Sequence, residues 1–176
     1  MIHMDTNNYI SRISDVYLQN LLESSGAVLI EGAKWCGKTQ SSLQAANSAV
    51  FMQDPDVGPG YLSMADTKPS LLLDGEVPLL LDEWQMAPVL WDAVRFAVDK
   101  RGKMGQFILT GSSTPNDNLI SHSGTGRIAR MLMRPMSLFE SNESNGAVSL
   151  RELFDGKTEV SGRSTLTIEQ IGHSIS

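Results

Sequence analysis

A chain of 176 residues is long enough for one domain with a buried core and too short for two domains of ordinary size. A hydrophobic share of 41% and a charged share of 19% are typical of a globular protein, and no apolar run approaches the roughly 20 residues that cross a bilayer. The net charge of −6 supports neither a nucleic-acid nor a membrane partner, and the one cysteine excludes an internal disulfide. We therefore expect a cytoplasmic domain.

Short apolar runs rich in β-formers alternate with helical patterns, which predicts an α/β domain with a parallel sheet. The predicted elements are, in chain order, helix 15–24, strand 27–30, helix 38–47, strand 49–52, one or two short helices within 54–75, strand 77–81, helix 88–101, strand 106–109 and strand 127–133. Ser14 suits the N-cap of the first helix. A loop rich in serine, asparagine and glycine spans about 111–126.

The chain beyond Pro135 carries weaker patterns. A helical turn is predicted at 149–154 with Gly156 as its cap, and 155–165 are polar. Residues 166–175 resemble a helix that ends without a capping glycine. We expect one domain over 1–154, followed at 155–176 by a linker and the start of a truncated C-terminal region.

A glycine-bracketed loop lies between the first predicted strand and the next helix. Residues 32–39 read GAKWCGKT, which fits the pattern G-x-x-x-x-G-K-[ST]. The glycines let backbone N–H groups surround an oxyanion, the lysine reaches the β- and γ-phosphates, and the threonine hydroxyl is a ligand for Mg²⁺. The predicted nucleotide contacts are Gly32, Ala33, Lys34, Trp35, Cys36, Gly37, Lys38, Thr39 and Gln40.

Two residues within this loop are unusual for it. Trp35 is suited to stacking on a base or a partner, and equally to plain packing or exposure. Cys36 lies in the positive field of the loop, which favours a thiolate, although a small residue that merely fits the loop is the simpler alternative.

An acidic pair ends the strongest predicted strand, which reads VPLLLDE from Val77 to Glu83. The carboxyl edge of a parallel sheet is where α/β domains bind ligands. Asp82 is therefore expected to hold Mg²⁺ opposite Thr39, directly or through a water. Glu83 is expected to act as the general base on the attacking water.

Two further catalytic candidates follow. Thr110, or as second choice Ser112, ends a buried strand and offers a hydroxyl to sense the γ-phosphate and orient water. Arg127, with Arg130 as competitor, follows the glycine-flanked segment 124–126 and is a candidate arginine finger for a neighbouring subunit. The alternative is an arginine at the start of a strand, paired with surface acids.

Four segments occur in the order GAKWCGKT, LLLDEWQ, GQFILTGSS and HSGTGRIARMLMRPMSLFES. Together they resemble prokaryotic AAA-type ATPases that carry a C-terminal domain of unknown function, and the resemblance covers about 9–154. It implies a three-layer P-loop NTPase fold with a five-stranded parallel sheet of order 5-1-4-3-2. It also places the metal and water acids at Asp82 and Glu83, the sensor at Thr110 and the finger near Arg127. Because such proteins are longer, we expect this chain to be their N-terminal ATPase domain without its C-terminal domain.

The favoured function is an AAA-like domain that binds ATP with Mg²⁺, hydrolyses it, and drives or switches an attached C-terminal domain or partner. The alternative is a regulatory module that binds the nucleotide without hydrolysis. A small-molecule kinase is disfavoured, because 113–126 contain no arginine-rich lid. A finger acting between subunits requires a neighbouring copy, so a homo-oligomer is one expectation, and a monomeric isolated domain is the alternative. Tyr9 and Arg12, just before the first helix, are candidates to line the base.

Overall fold

The computed structural model describes residues 9–111, 124–157, 161–164, 166–169 and 172. The chain divides into two compact units, Met1–Pro135 and Met136–Ser176. Ser112, most of the predicted loop 111–126 and much of the predicted helix 166–175 lie outside the described residues. None of the described helices is long and apolar enough to span a membrane.

A five-stranded parallel sheet forms the centre of the first unit. Its strands are β1 (Ala27–Glu31), β2 (Ser48–Phe51), β3 (Leu79–Asp82), β4 (Phe107–Gly111) and β5 (Ile128–Leu132). Their order across the sheet is β2-β3-β4-β1-β5, and every neighbouring pair is parallel. This confirms the predicted order 5-1-4-3-2, which is the same sequence counted from the opposite edge.

Helices connect the strands of the first unit. They are α1 (Ile13–Ser24), α2 (Lys38–Ala45), α3 (Gly58–Thr67) and α4 (Val89–Arg101), with 3₁₀ helices at Pro69–Leu73 and Trp84–Met86. The predicted short helices within 54–75 are therefore α3 and the first 3₁₀ helix. Strand β3 begins at Leu79, two residues later than predicted, because Pro78 has no N–H to donate to a neighbouring strand.

The start of α1 differs from the prediction. Ser14 lies inside the helix, and Arg12 occupies the N-cap. The Asp15 carboxylate accepts a hydrogen bond from the Arg12 backbone N–H (2.7 Å), and the Arg12 carbonyl accepts one from the Asp15 N–H (3.0 Å). An acid in the first turn satisfies a backbone donor and complements the helix dipole, so this arrangement replaces a serine cap.

Apolar side chains cover both faces of the sheet. Leu29 shares a buried cluster with Trp91 and Val94 of α4, whereas Val28 belongs to a separate cluster with Leu18 of α1. Successive residues of a strand point to opposite faces, so β1 contributes alternately to the two clusters. The sheet is thus the middle of three layers, and its buried strands read as the continuous apolar runs seen in the sequence.

The second unit contains helix α5 (Leu150–Phe154) among its described residues. The Ser149 hydroxyl caps it by accepting a hydrogen bond from the Glu152 N–H (3.4 Å). Gly156 ends it with a left-handed backbone (φ +95°), and its N–H donates to the Leu153 carbonyl (3.2 Å). The predicted helical turn and its glycine cap are therefore confirmed.

Truncation of two leucines in the sheet should separate core packing from surface exposure. Leu29→Ala removes a fully buried side chain, and we expect it to lower the free energy of unfolding by about 2–5 kcal/mol. Leu132→Ala, at a leucine 66% exposed on β5, should change it by no more than about 0.5 kcal/mol. Urea unfolding monitored by circular dichroism measures both. Equal losses for the two variants would contradict the described layering.

Candidate functional site

The glycine-bracketed loop follows the end of β1 and leads directly into α2, which begins at Lys38. Gly37 occupies the N-cap of α2 with φ +97°, a backbone conformation that favours glycine. Gly32 lies so close to β5 that a Cβ there would meet the Met133 carbonyl oxygen at 2.2 Å. The two glycines therefore let the loop turn tightly against the end of β5, and leave the N-terminus of α2 facing the loop.

Lys38 holds its charge inside the loop. Its side chain is 6% exposed, and its Nζ donates to the Gly32 carbonyl (3.1 Å) and the Ala33 carbonyl (2.9 Å). The positive end of the α2 dipole adds to this charge. The loop is consequently an electropositive cradle suited to a phosphate group.

Asp82 connects three elements at the carboxyl edge of the sheet. Its Oδ1 accepts a hydrogen bond from the Thr39 hydroxyl (2.8 Å) and another from the Thr110 hydroxyl (2.6 Å). Parallel register causes this meeting, because Asp82 pairs with Thr110 and Ile30, just before the loop, also pairs with Thr110. Thr39 and Asp82, which were predicted to hold the metal, and Thr110, the predicted sensor, are thereby brought together.

The donor set suits magnesium. A hydroxyl and a carboxylate are hard oxygen ligands, and Mg²⁺ sites at nucleotides use one or two protein carboxylates together with phosphates and water. The part of the chain that the structure describes contains no group of three or more His, Cys, Asp or Glu residues able to hold a metal ion. Thr39 and Asp82 therefore offer two oxygen ligands that fit Mg²⁺.

Glu83 follows Asp82 in a left-handed backbone conformation, with φ +55°. Its N–H donates to the Thr110 hydroxyl (3.2 Å), and its carboxylate accepts a hydrogen bond from the Gln85 side-chain amide. The contact with Gln85 was not foreseen from the sequence. No pattern in the sequence indicated it, because Gln85 reaches Glu83 only where the 3₁₀ helix Trp84–Met86 folds the chain back.

An open cavity of about 630 Å³ lies beside these groups, within the range of small-molecule sites. Asp82 at the end of β3 and Glu83 after it line this cavity. The other lining residues include Lys34, Trp35, Gly37, Lys38, Thr39, Gln40 and Phe51. Six of the nine predicted loop contacts therefore border one space with the two acids, whereas Gly32, Ala33 and Cys36 do not line it.

The unusual loop residues occupy different environments. Trp35 is 91% exposed and has a left-handed backbone (φ +69°), with the Lys34 ammonium 5.8 Å from its ring centre. Cys36 is buried in the apolar cluster that contains Met131 and Met133. A buried thiol packed among methionines fits the simpler alternative, a small residue that fills the loop.

Arg127 lies at the other end of the strands. Its carbonyl accepts a hydrogen bond from the N–H of Ala27, the first residue of β1, whereas the loop follows the last residue of β1. Its guanidinium donates to the Asp99 carboxylate (2.8 Å), and this hydrogen bond raises the pKa of Arg127 above its usual value. Arg127 therefore does not join the phosphate loop of its own chain, and any role as a finger requires a neighbouring copy.

Arg130, the competing candidate, lies on β5. Its guanidinium is 3.8 Å from the Glu31 carboxylate and 6.0 Å from the centre of the Trp91 ring. Both partners belong to the same chain, so this arginine contributes an ion pair and an aromatic contact beside β1, the strand that precedes the loop.

Tyr9 contacts the helix that follows the loop, and Arg12 contacts the loop itself. The Tyr9 hydroxyl is within 2.9 Å of the Asp15 carboxylate and 2.8 Å of the Ser41 hydroxyl on α2, and burial raises the pKa of Tyr9 to about 12. The Arg12 guanidinium, suggested by the sequence as a contact for the base, donates instead to the carbonyls of Cys36 (2.9 Å) and Arg134 (3.0 Å).

A glycine-bracketed loop between a central parallel strand and a helix, facing an acid at the end of another strand, defines a P-loop NTPase-like domain. The family model described as an AAA domain matches residues 24–142, which is more than half of the chain. The chain therefore belongs to the AAA domain family and is a nucleotide-binding domain of the AAA type. No curated protein matches the chain.

Two glycines provide a test of the packing behind the loop. Gly32→Ala forces a methyl group against a backbone carbonyl at 2.2 Å, and we expect a loss of about 1–3 kcal/mol in the free energy of unfolding. Gly60→Ala places the same methyl in α3 with nothing within 4 Å. It should leave stability unchanged or raise it by up to about 1 kcal/mol through helix propensity. Chemical denaturation measures both, and a harmless Gly32→Ala would refute the close contact with β5.

Proposed function

We propose that the chain binds ATP together with Mg²⁺ and hydrolyses it. The observation that carries the proposal is the arrangement around Asp82, where one carboxylate oxygen holds the hydroxyls of Thr39 and Thr110 beside the loop that contains Lys38. Phosphoryl transfer needs positioning and charge neutralisation more than covalent help from the protein, and this arrangement supplies both. Adenine rather than guanine is proposed from the family membership.

Binding of the phosphates is assigned to the loop. The Lys38 ammonium, which now donates to the carbonyls of Gly32 and Ala33, is placed to share its donors with phosphate oxygens. The backbone N–H groups at the start of α2 provide further donors. Thr39 and Asp82 would hold Mg²⁺, which when bound neutralises negative charge on the β- and γ-phosphates.

Hydrolysis is assigned to Glu83 and Thr110. Glu83 accepts a proton from water while the water oxygen bonds to the γ-phosphorus. The bond between that phosphorus and the bridging oxygen breaks, which releases ADP and inorganic phosphate. Thr110 fixes this geometry because its hydroxyl accepts from the Glu83 N–H and donates to Asp82. We further propose that the cycle moves or switches an attached domain or partner.

One observation favours a second candidate function, a nucleotide-binding regulatory module without turnover. The Glu83 carboxylate is engaged by the Gln85 amide and is held on a left-handed backbone. A carboxylate that stays in this contact with nucleotide bound has one oxygen occupied by the amide, so that oxygen is not free to accept a proton from water. In that case the nucleotide would hold a conformation and remain intact.

Substitution of Glu83 distinguishes the two candidates. Glu83→Gln keeps the size of the side chain and removes the base, so we expect phosphate release to fall by about 100-fold or more while ATP binding persists. Glu76→Gln, at an exposed glutamate before β3, is the matched control and should turn over ATP like the wild type.

The measurement is phosphate release by the wild type and both variants, together with nucleotide binding by calorimetry. Turnover that is unaffected by Glu83→Gln contradicts the assigned base. A wild type that binds ATP and releases no phosphate contradicts hydrolysis and establishes the regulatory module.

A further inference from the structure

Arg12 is a buried arginine that joins two distant parts of the backbone. Its side chain is 7% exposed. One guanidinium nitrogen donates to the carbonyl of Cys36 in the phosphate loop (2.9 Å), and another donates to the carbonyl of Arg134, two residues beyond β5 (3.0 Å). A buried charge is costly unless it is well hydrogen-bonded. These two carbonyls therefore help to stabilise the buried guanidinium.

The first contact determines where a loop amide points. The carbonyl of Cys36 and the N–H of Gly37 belong to the same peptide plane, and in a trans peptide they point in opposite directions. The guanidinium lies on the carbonyl side of this plane, and a Cβ on Gly37 would meet its Nη1 at 3.0 Å. Holding the carbonyl therefore aims the Gly37 N–H away from Arg12. The charge also polarises the peptide, which makes that N–H a stronger donor.

The second contact ties this plane to the sheet. The end of β5 is itself fixed to β1, because the Met133 N–H donates to the Glu31 carbonyl (2.7 Å). The planar guanidinium presents several donors in a fixed geometry, so it can span two carbonyls at once. A lysine ammonium keeps the charge, but it is a compact point charge on a flexible stem and lacks this planar geometry.

We infer that Arg12 is a positioning residue of the nucleotide site. By holding the Cys36–Gly37 peptide against the end of β5, it presets the Gly37 N–H to donate to a phosphate oxygen. This inference rests on the nucleotide-binding half of the proposed function and not on hydrolysis. A preset donor contributes equally to the bound substrate and to the transition state, so its loss should raise KM and leave kcat unchanged.

The test compares Arg12→Gln with Arg101→Gln. Arg101 is a half-buried arginine that likewise donates to a backbone carbonyl, that of Leu73 (2.7 Å), but it lies at the end of α4 and not at the loop. We expect Arg12→Gln to weaken ADP binding by about tenfold or more, as for other hydrogen bonds from charged groups. Arg101→Gln should bind ADP like the wild type, whatever its stability. Calorimetry with ADP and Mg²⁺ on the whole chain measures the affinities.

Arg12→Lys separates charge from geometry and serves if Arg12→Gln fails to fold. We expect it to bind ADP more weakly than the wild type, and in ATP turnover to raise KM with kcat within about twofold. Wild-type affinity in Arg12→Lys or in Arg12→Gln overturns the inference. So does an equal loss in Arg101→Gln, or a loss confined to kcat.

Failure of the proposed function has a different signature. A wild type that binds ADP and releases no phosphate from ATP contradicts hydrolysis and leaves the affinity comparison intact. A wild type that binds no ADP at all overturns nucleotide binding and the role of Arg12 together.

Discussion

The site depends on one carboxylate oxygen. Asp82 Oδ1 accepts hydrogen bonds from Thr39, on the helix after the phosphate loop, and from Thr110, at the end of a neighbouring strand. Only 8% of Asp82 is exposed, so its charge is held in place by these partners and not by solvent. The parallel sheet makes the contact possible, because all of its strands deliver their carboxyl ends to one edge. The buried apolar strands thus determine where the polar groups of the site meet.

Residues that do not line the cavity also contact the loop and the helix that follows it. The end of β5 packs against Gly32, and Arg12 fastens the Cys36 carbonyl to the Arg134 carbonyl. Tyr9 adds a hydrogen-bonded contact to Ser41 on α2. Donors that are already in place need no rearrangement when a charged ligand binds. A loop that holds its donors in fixed positions therefore binds such a ligand with higher affinity than the same groups on a mobile loop. The described residues before α1 and the strand β5 therefore support the loop, although none of them lines the cavity.

Local patterns and resemblance account for much of this picture. GAKWCGKT located the loop because its constraints lie within eight residues, and VPLLLDE located the two acids because a buried strand must end where its side chains become polar. The strand order followed from the family resemblance. The sequence did not reveal the contacts of Arg12 and Gln85. The contacts of Arg12 join residues far apart in sequence, and that of Gln85 depends on a 3₁₀ turn without its own pattern. For Arg127 the sequence left two alternatives, and the structure adds its contact with Asp99 at the end of the sheet opposite the loop.

We propose that this edge of the sheet binds a nucleotide through its phosphates and a metal held by Thr39 and Asp82. Calorimetric titration of ATP into the whole chain, once with Mg²⁺ and once with the metal chelated by EDTA, tests it most directly. We expect saturable binding at one site per chain, clearly tighter when Mg²⁺ is present, because the two oxygen ligands then add to the contacts of the loop. Absence of binding, or the same affinity in both titrations, would contradict it.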